Sequence, residues 1–191
     1  MEKIILDVKT DKEFSLANGI KPILKFKDTW TYNKSVCEGV TFRNFYRLNF
    51  ARTTFKNCIF ENCEMIYTKN CHMENCTFIK TPTVGGPNST FVGCFFKDIT
   101  AEFAMLGIEG TGKVEGCTFE NITIGDFLSY VVIYHSEQEG EFNKVKNCKF
   151  INCKTESFDG QLCCSSTFEG MLDSTTHVDI MDYDTCDIVI R

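Results

Sequence analysis

The sequence predicts an all-β solenoid of parallel strands, about six stacked coils in one domain. Three observations predict it. A short motif recurs six times in fixed register, small and large residues alternate within it, and asparagine or glycine recurs at fixed places beside it. Residues two apart lie on the same side of a β-strand. The alternation therefore turns each small residue and each Phe inward and leaves the residue between them in solvent.

The clearest copy runs from Phe55 through Asn57, Cys58, Phe60 and Asn62 to Cys63. Further copies set Cys76 before Phe78, Cys94 before Phe96, Cys117 before Phe119 and Cys148 before Phe150, and a weaker one sets Val40 before Phe42. The aligned positions 40, 58, 76 and 94 are 18 apart, and the next steps are 23 and 31. Small-then-large alternation fills a narrow tube in which each Phe stacks on the Phe one coil away. That use explains 18 Phe against a single Trp. Asn57, Asn75, Gly93, Gly116 or Asn147 stands just before each Cys. Asn and Gly tolerate left-handed backbone angles, so this column marks a corner between two flat faces. Asn44, Asn62, Lys80, Asp98, Asn121 and Asn152 form a second corner column, whose side chains can hydrogen-bond along its length. Inward pairs recur every five residues, as Leu48/Phe50, Thr53/Phe55, Cys58/Phe60 and Cys63/Met65, then Cys71/Met73 and Cys76/Phe78. This implies about three short faces and one variable connection per coil. The two-residue alternation excludes an amphipathic helix.

The five-residue inward pairs resemble those of pentapeptide-repeat proteins. The coils of 18 to 23 residues with variable connections resemble right-handed parallel β-helix proteins, over roughly residues 37–155. The connections after Met65, Phe78 and Ile99 depart from a strict pentapeptide rhythm. The aliphatic-glycine hexapeptides of left-handed β-helices are missing, so the resemblance implies a right-handed parallel β-helix. A shared fold carries no function with it.

A solenoid must close its open ends. Residues 1–36 read as an N-terminal cap, with a strand at 4–8, a short helix from Asp11 to Asn18 ended by Gly19, and a strand at 23–26. Residues 37–155 hold the coils, with insertions near 100–113 and 123–144. Residues 156–191 read as the last coil and C-terminal cap, with Val178 to Tyr183 as a degenerate seventh copy.

Twelve cysteines admit a disulfide framework in a secreted protein or free thiols used as small buried residues. The repeat favours free thiols. Cys58/Cys63, Cys71/Cys76 and Cys148/Cys153 are five apart, unlike the two-residue spacer of common zinc ribbons, and the adjacent Cys163 and Cys164 suit no tetrahedral site. No metal or cofactor is expected. The opening ten residues mix Glu2, Lys3, Asp7 and Lys9 with Ile4, Ile5 and Leu6 and lack the apolar core of a signal peptide. No apolar run is long enough to span a bilayer. The expectation is a cytoplasmic protein with no membrane partner.

The net charge of −6 hides an asymmetry: residues 1–80 carry thirteen Lys/Arg and nine Asp/Glu, residues 101–191 six and sixteen. In a solenoid this becomes a field along the axis. An acidic half suits a protein partner with a basic surface. The expected contact residues are Phe127, Tyr130, Tyr134, Glu137, Glu139 and Glu141 in the long insertion, and Asp179, Asp182, Asp184 and Asp187 near the end. The aspartate run admits a divalent cation or a solvated strand edge. The basic group of Lys21, Lys25, Lys27, Arg43, Arg47 and Arg52 is modest, so direct nucleic-acid binding is not expected.

Carbohydrate cleavage needs carboxylates gathered on one outer face. The outward columns read Thr41, Ile59, Thr77, Phe95, Thr118, Lys149 and Arg43, Glu61, Ile79, Lys97, Glu120, Ile151, with no paired acids. His72, His135 and His177 fall in different coils. No catalytic residue is expected, and the reading is a binding protein. Some pentapeptide-repeat proteins resemble DNA, and small phage-encoded inhibitors are similar in size and acidity. The resemblance thus implies an inhibitor occupying another protein's nucleic-acid site. A carbohydrate-binding or carbohydrate-cleaving β-helix and a self-assembling structural protein, joined end to end by its opposed charges, are the alternatives.

Overall fold

A computed structural model describes residues 4–7, 22–26, 29–32, 36–102, 105–125, 130–135, 144–156, 161–166, 181 and 184–190. They form an all-β parallel solenoid with three sheets, whose regular part, Val36 to Glu109, makes about four turns. Face 1 stacks the strands Val36–Glu38, Thr54–Lys56, His72–Glu74, Thr90–Val92, Lys113–Glu115 and Val145–Lys146. Face 2 runs from Ile4–Asp7 through Val40–Arg43, Ile59–Glu61, Thr77–Ile79, Phe95–Ala101, Thr118–Ile124 and Lys149–Ile151 to Asp187–Val189. Face 3 holds Thr29–Tyr32, Arg47–Ala51, Met65–Lys69, Thr83–Pro87, Leu106–Glu109, Val132–His135 and Cys163–Ser166, with Pro22–Phe26 antiparallel at its edge.

The register is the one the motif predicts. Phe60 pairs with Phe42 and Phe78, Phe96 with Phe78 and Phe119, and Phe150 with Phe119. These rings stack at centroid distances of 5.0, 4.9, 4.6, 4.8 and 4.8 Å, with interplanar angles between 6° and 13°. Each such pair contributes about 0.5–1.5 kcal/mol beyond the area it buries.

Both predicted corner columns are left-handed, with φ between 50° and 63° at every position from Asn44 to Asn152 and from Asn57 to Asn147. A third column, Arg52, Asn70, Asn88 and Gly110, has φ from 51° to 57° and closes each turn into a triangle. The corner amides keep the ladders continuous: Asn57 N–H donates to Glu74 O at 3.0 Å, Asn62 to Ile79 O and Asn70 to Pro87 O at 2.9 Å each. Along the second column Asn44 Nδ2 donates to Asp7 Oδ1, Asn62 Nδ2 to Asn44 Oδ1, and Asn121 Nδ2 to Asp98 Oδ1, at 2.9, 2.6 and 2.8 Å.

The residue after most corners is small and carries a donor, Cys, Thr or Ser, with Phe45, Ile99 and Ile122 the exceptions in the second column. All twelve cysteines are free thiols. Cys58 Sγ lies 3.4 Å from Lys56 O and 3.5 Å from Cys37 O, so its S–H is shared between its own corner and the rung below. Cys63 does the same with Glu61 O and Phe42 O. One rung on, Thr81 takes the place of Cys63 and its hydroxyl meets Ile79 O and Phe60 O at 3.2 and 3.4 Å. The interior selects a short side chain that both packs and satisfies a carbonyl.

Two details of the sequence reading are corrected. Met65 is not inward: Ile66 takes the core position, because the chain gains one residue between Cys63 and face 3. The seventh copy of the motif is not Val178 to Tyr183. Asp187, Ile188 and Val189 pair with Lys149, Phe150 and Ile151, so Cys186 continues the Cys column, 38 residues after Cys148. Met181 bridges Val145 and belongs to the neighbouring column on face 1. The predicted helix at 11–18 lies outside the described residues. Of the stretches read as insertions, 106–109 and 132–135 are coil strands of face 3, and the seven-residue strands at Phe95 and Thr118 absorb residues near 100 and 123.

Candidate functional site

The rungs fix which side chains reach the surface. On face 2 the first outward column is Ile59, Thr77, Phe95, Thr118 and Lys149, all half-buried, preceded by a buried Thr41. In the next column Arg43 Nε meets Glu61 Oε2 at 2.8 Å, so that charge is spent within the sheet. On face 1 Lys56 Nζ meets Glu74 Oε2 at 2.9 Å. That hydrogen bond and charge raise Lys56 and lower Glu74 from their ordinary pKa values. Among the described residues no three His, Cys, Asp or Glu side chains are grouped to hold a metal ion.

The structure separates the ten expected contact residues. Tyr130 and Tyr134 are buried. The Tyr134 hydroxyl donates to Gly110 O at 2.8 Å, and Tyr130 packs with Ile133 and Cys164. Neither ring offers a face to a partner, because the strand Val132–His135 turns Tyr134 into the tube. Asp184 and Asp187 are exposed on the last rung. Phe127, Glu137, Glu139, Glu141, Asp179 and Asp182 lie outside the described residues. So do nine of the sixteen acids of residues 101–191, whereas the described residues of that half hold seven acids and five lysines. Among the described residues of that half, charge is therefore close to balance.

Sequence reasoning missed a surface on face 3. Tyr46 is 66% and Tyr67 40% exposed, with Met65 between them. Beyond Tyr67 the outward column continues as Gly85 and Gly107, which pair directly. Gly85 has φ of 134°, and a Cβ there would overlap the Gly107 carbonyl oxygen, so only glycine fits. The next residue in the column, Ile133, is buried with Tyr130. The result is a bare backbone shelf two rungs wide, about 10 Å by strand spacing, between an exposed tyrosine and a covered shoulder. The signal was present in the consecutive Gly85 and Gly86, which interrupt the alternation of face 3.

Four of the thiols are held in the protonated form by burial. Burial pushes Cys63 up to about 12 and Cys153 up to about 11, and it raises Cys71 and Cys117 as well. A thiol so raised is a poor nucleophile at neutral pH.

No family model matches the chain, and no curated protein matches it. Among the described residues no helix is long and apolar enough to cross a membrane.

Proposed function

We propose that this chain is a non-catalytic binding protein of the cytoplasm. Its rigid solenoid displays an acidic C-terminal half to a protein partner with a basic surface. In its specific form the partner's basic surface is a nucleic-acid groove, and the chain inhibits by occupying it. The right-handed wind, about six coils and closed ends at residues 1–36 and 156–191 belong to this reading. The observation that carries it is the division of charge along the chain: residues 1–80 carry thirteen Lys/Arg and nine Asp/Glu, residues 101–191 six and sixteen. Like charges gathered toward one end of a linear frame project a field that steers a partner of opposite sign. The test is capture of proteins on the immobilised chain, followed by elution with salt or with duplex DNA. Release by both is expected, since the contact is electrostatic and the DNA competes for the same groove. Retention through both treatments would contradict it.

One observation favours a second reading, carbohydrate binding at the face 3 shelf. An exposed tyrosine beside a flat glycine floor suits the apolar face of a sugar ring. Glycan-array binding lost on Tyr67→Ala would support this reading, and binding that survives the substitution would remove it.

A further inference from the structure

We propose that face 3 of the early turns binds a single-stranded nucleic acid, a site apart from the acidic contact surface. Two strained corner residues point to it. Among the described residues twelve non-glycine positions hold a left-handed φ, and ten of them are Asn or Asp, which tolerate that conformation. The other two are Arg52 and Lys80, with φ of 51° and 50°. Each side chain is more costly there than Asn would be, and strain of this kind clusters where a side chain has a use. Both are exposed and both flank face 3: Lys80 stands at the corner that enters it and Arg52 at the corner that leaves it.

The register gathers more of the same sign around them. Ala51 pairs with Lys69, and Arg52 N–H donates to Lys69 O at 2.9 Å, so Arg52 and Lys69 stand on consecutive rungs. Arg47 opens the first of these strands, and its Nε donates to Asn49 Oδ1 at 3.1 Å. Residues 45–52, 63–70 and 80–88, three rungs of the face, hold these four cations and a single acid, Glu64. Among the described residues none of the four meets a carboxylate. The other faces of the same turns neutralise their charge in place, Arg43 with Glu61 on face 2 and Lys56 with Glu74 on face 1.

Between the cations stand Tyr46 and Tyr67, both exposed, with Met65. Beyond Tyr67 its column carries no side chain at Gly85 and Gly107, so the sheet is open and flat there. A Cβ added to Gly86 would come within 3.2 Å of Tyr67 Cε2, so the ring is braced against that rung. Single strands are held by aromatic rings on which bases stack and by cations that track the phosphates. A neutral sugar would use the ring and the floor and set nothing against the four cations. The charge therefore favours the nucleic acid.

The test is fluorescence anisotropy of a labelled oligodeoxythymidylate of about ten nucleotides, with the full chain and no protein partner. Saturable binding is expected, with log K falling against log salt at a slope of about −2 to −3, since each phosphate neutralised contributes about −0.7. Arg52→Asn and Lys80→Asn suit the left-handed corners and so keep the fold; each should weaken binding several-fold and flatten the slope by about 0.7. Tyr67→Ala should weaken binding about tenfold or more through lost stacking. Lys146→Ala, on face 1, should leave it unchanged. Binding that does not saturate, duplex DNA of the same length bound as tightly, or a loss from Lys146→Ala equal to that from Lys80→Asn would overturn the assignment. So would a chain that ignores the oligonucleotide but binds a neutral glycan through Tyr67, which leaves the sugar reading of the shelf. Because the experiment contains no protein partner, its failure leaves the acidic-surface reading standing.

Discussion

The early and late turns of the solenoid build the same rung from different lengths of chain. From Val40 to Cys94 each step of the Cys column takes 18 residues; beyond Cys94 the steps are 23, 31 and 38. The Phe stack does not register the change. Phe96 to Phe119 and Phe119 to Phe150 are each 4.8 Å, inside the 4.6–5.0 Å range of the short turns. Rung geometry is therefore set by the strand pairing and the left-handed corners, and not by the length of chain between rungs. Because the core repeats without it, the added chain is free to vary in charge.

The largest expected effect separates the two regions through the stack itself. Phe78→Ala should cost about 3–5 kcal/mol in chemical denaturation, since its ring has partners at 4.9 and 4.6 Å on both sides. Phe150→Ala should cost less, because beyond it the column ends in Ile188, which is 50% exposed. Equal losses would mean that the last rung is as well packed as the first four turns.

Alkaline pH sharpens the same contrast. A buried thiol raised above its unfolded value near 9 stabilises the fold fully below that pH, and the contribution falls away as pH rises toward the folded value. The window runs to about 12 for Cys63 and about 11 for Cys153. Cys63→Thr, copying Thr81, should remove more of the stability loss above pH 9 than Cys153→Thr does, measured by denaturation at stepped pH.

Smaller effects test the interior of the regular turns. Thr68 is fully buried and its hydroxyl has no hydrogen-bond partner, so Thr68→Val should stabilise by about 1 kcal/mol. Thr81→Val should destabilise by a similar amount, because its hydroxyl serves two carbonyls. The smallest is Lys80→Asn. Lys80 holds φ of 50° in a column otherwise made of Asn and Asp, and Asn there should raise the melting temperature by about 2–4 °C.

Face 2 was legible in the sequence because its Phe column runs unsubstituted from Phe42 to Phe150 beside columns made mostly of Cys and Asn, and each residue type has one physical reason to occupy its place. Face 3 was not. Its corner column begins with Arg52, which tolerates a left-handed angle poorly and hides the pattern of Asn70 and Asn88. Its core column reads Phe50, Thr68, Gly86, Ile108 and Tyr134, with no common size. The shift from Met65 to Ile66 follows from the same weakness, since a strict five-residue rhythm places Met65 inside. At the candidate surfaces, Tyr130 and Tyr134 read as contact residues because aromatic side chains in an acidic stretch suit an interface; the face 3 register buries them instead. The basic group of face 3 looked modest because Lys69 and Lys80 join Arg47 and Arg52 only through the coil register.

Mass-spectrometric mapping of thiol alkylation, native and denatured, without reductant, tests the stacked interior most directly. In the native state Cys153 and Cys186, the half-buried pair near the last rung, should be modified first, and Cys58, Cys76, Cys94 and Cys117 should stay protected. In denaturant all twelve should react. Disulfide-linked peptides, or native labelling of Cys76 as fast as Cys186, would contradict the stacked tube.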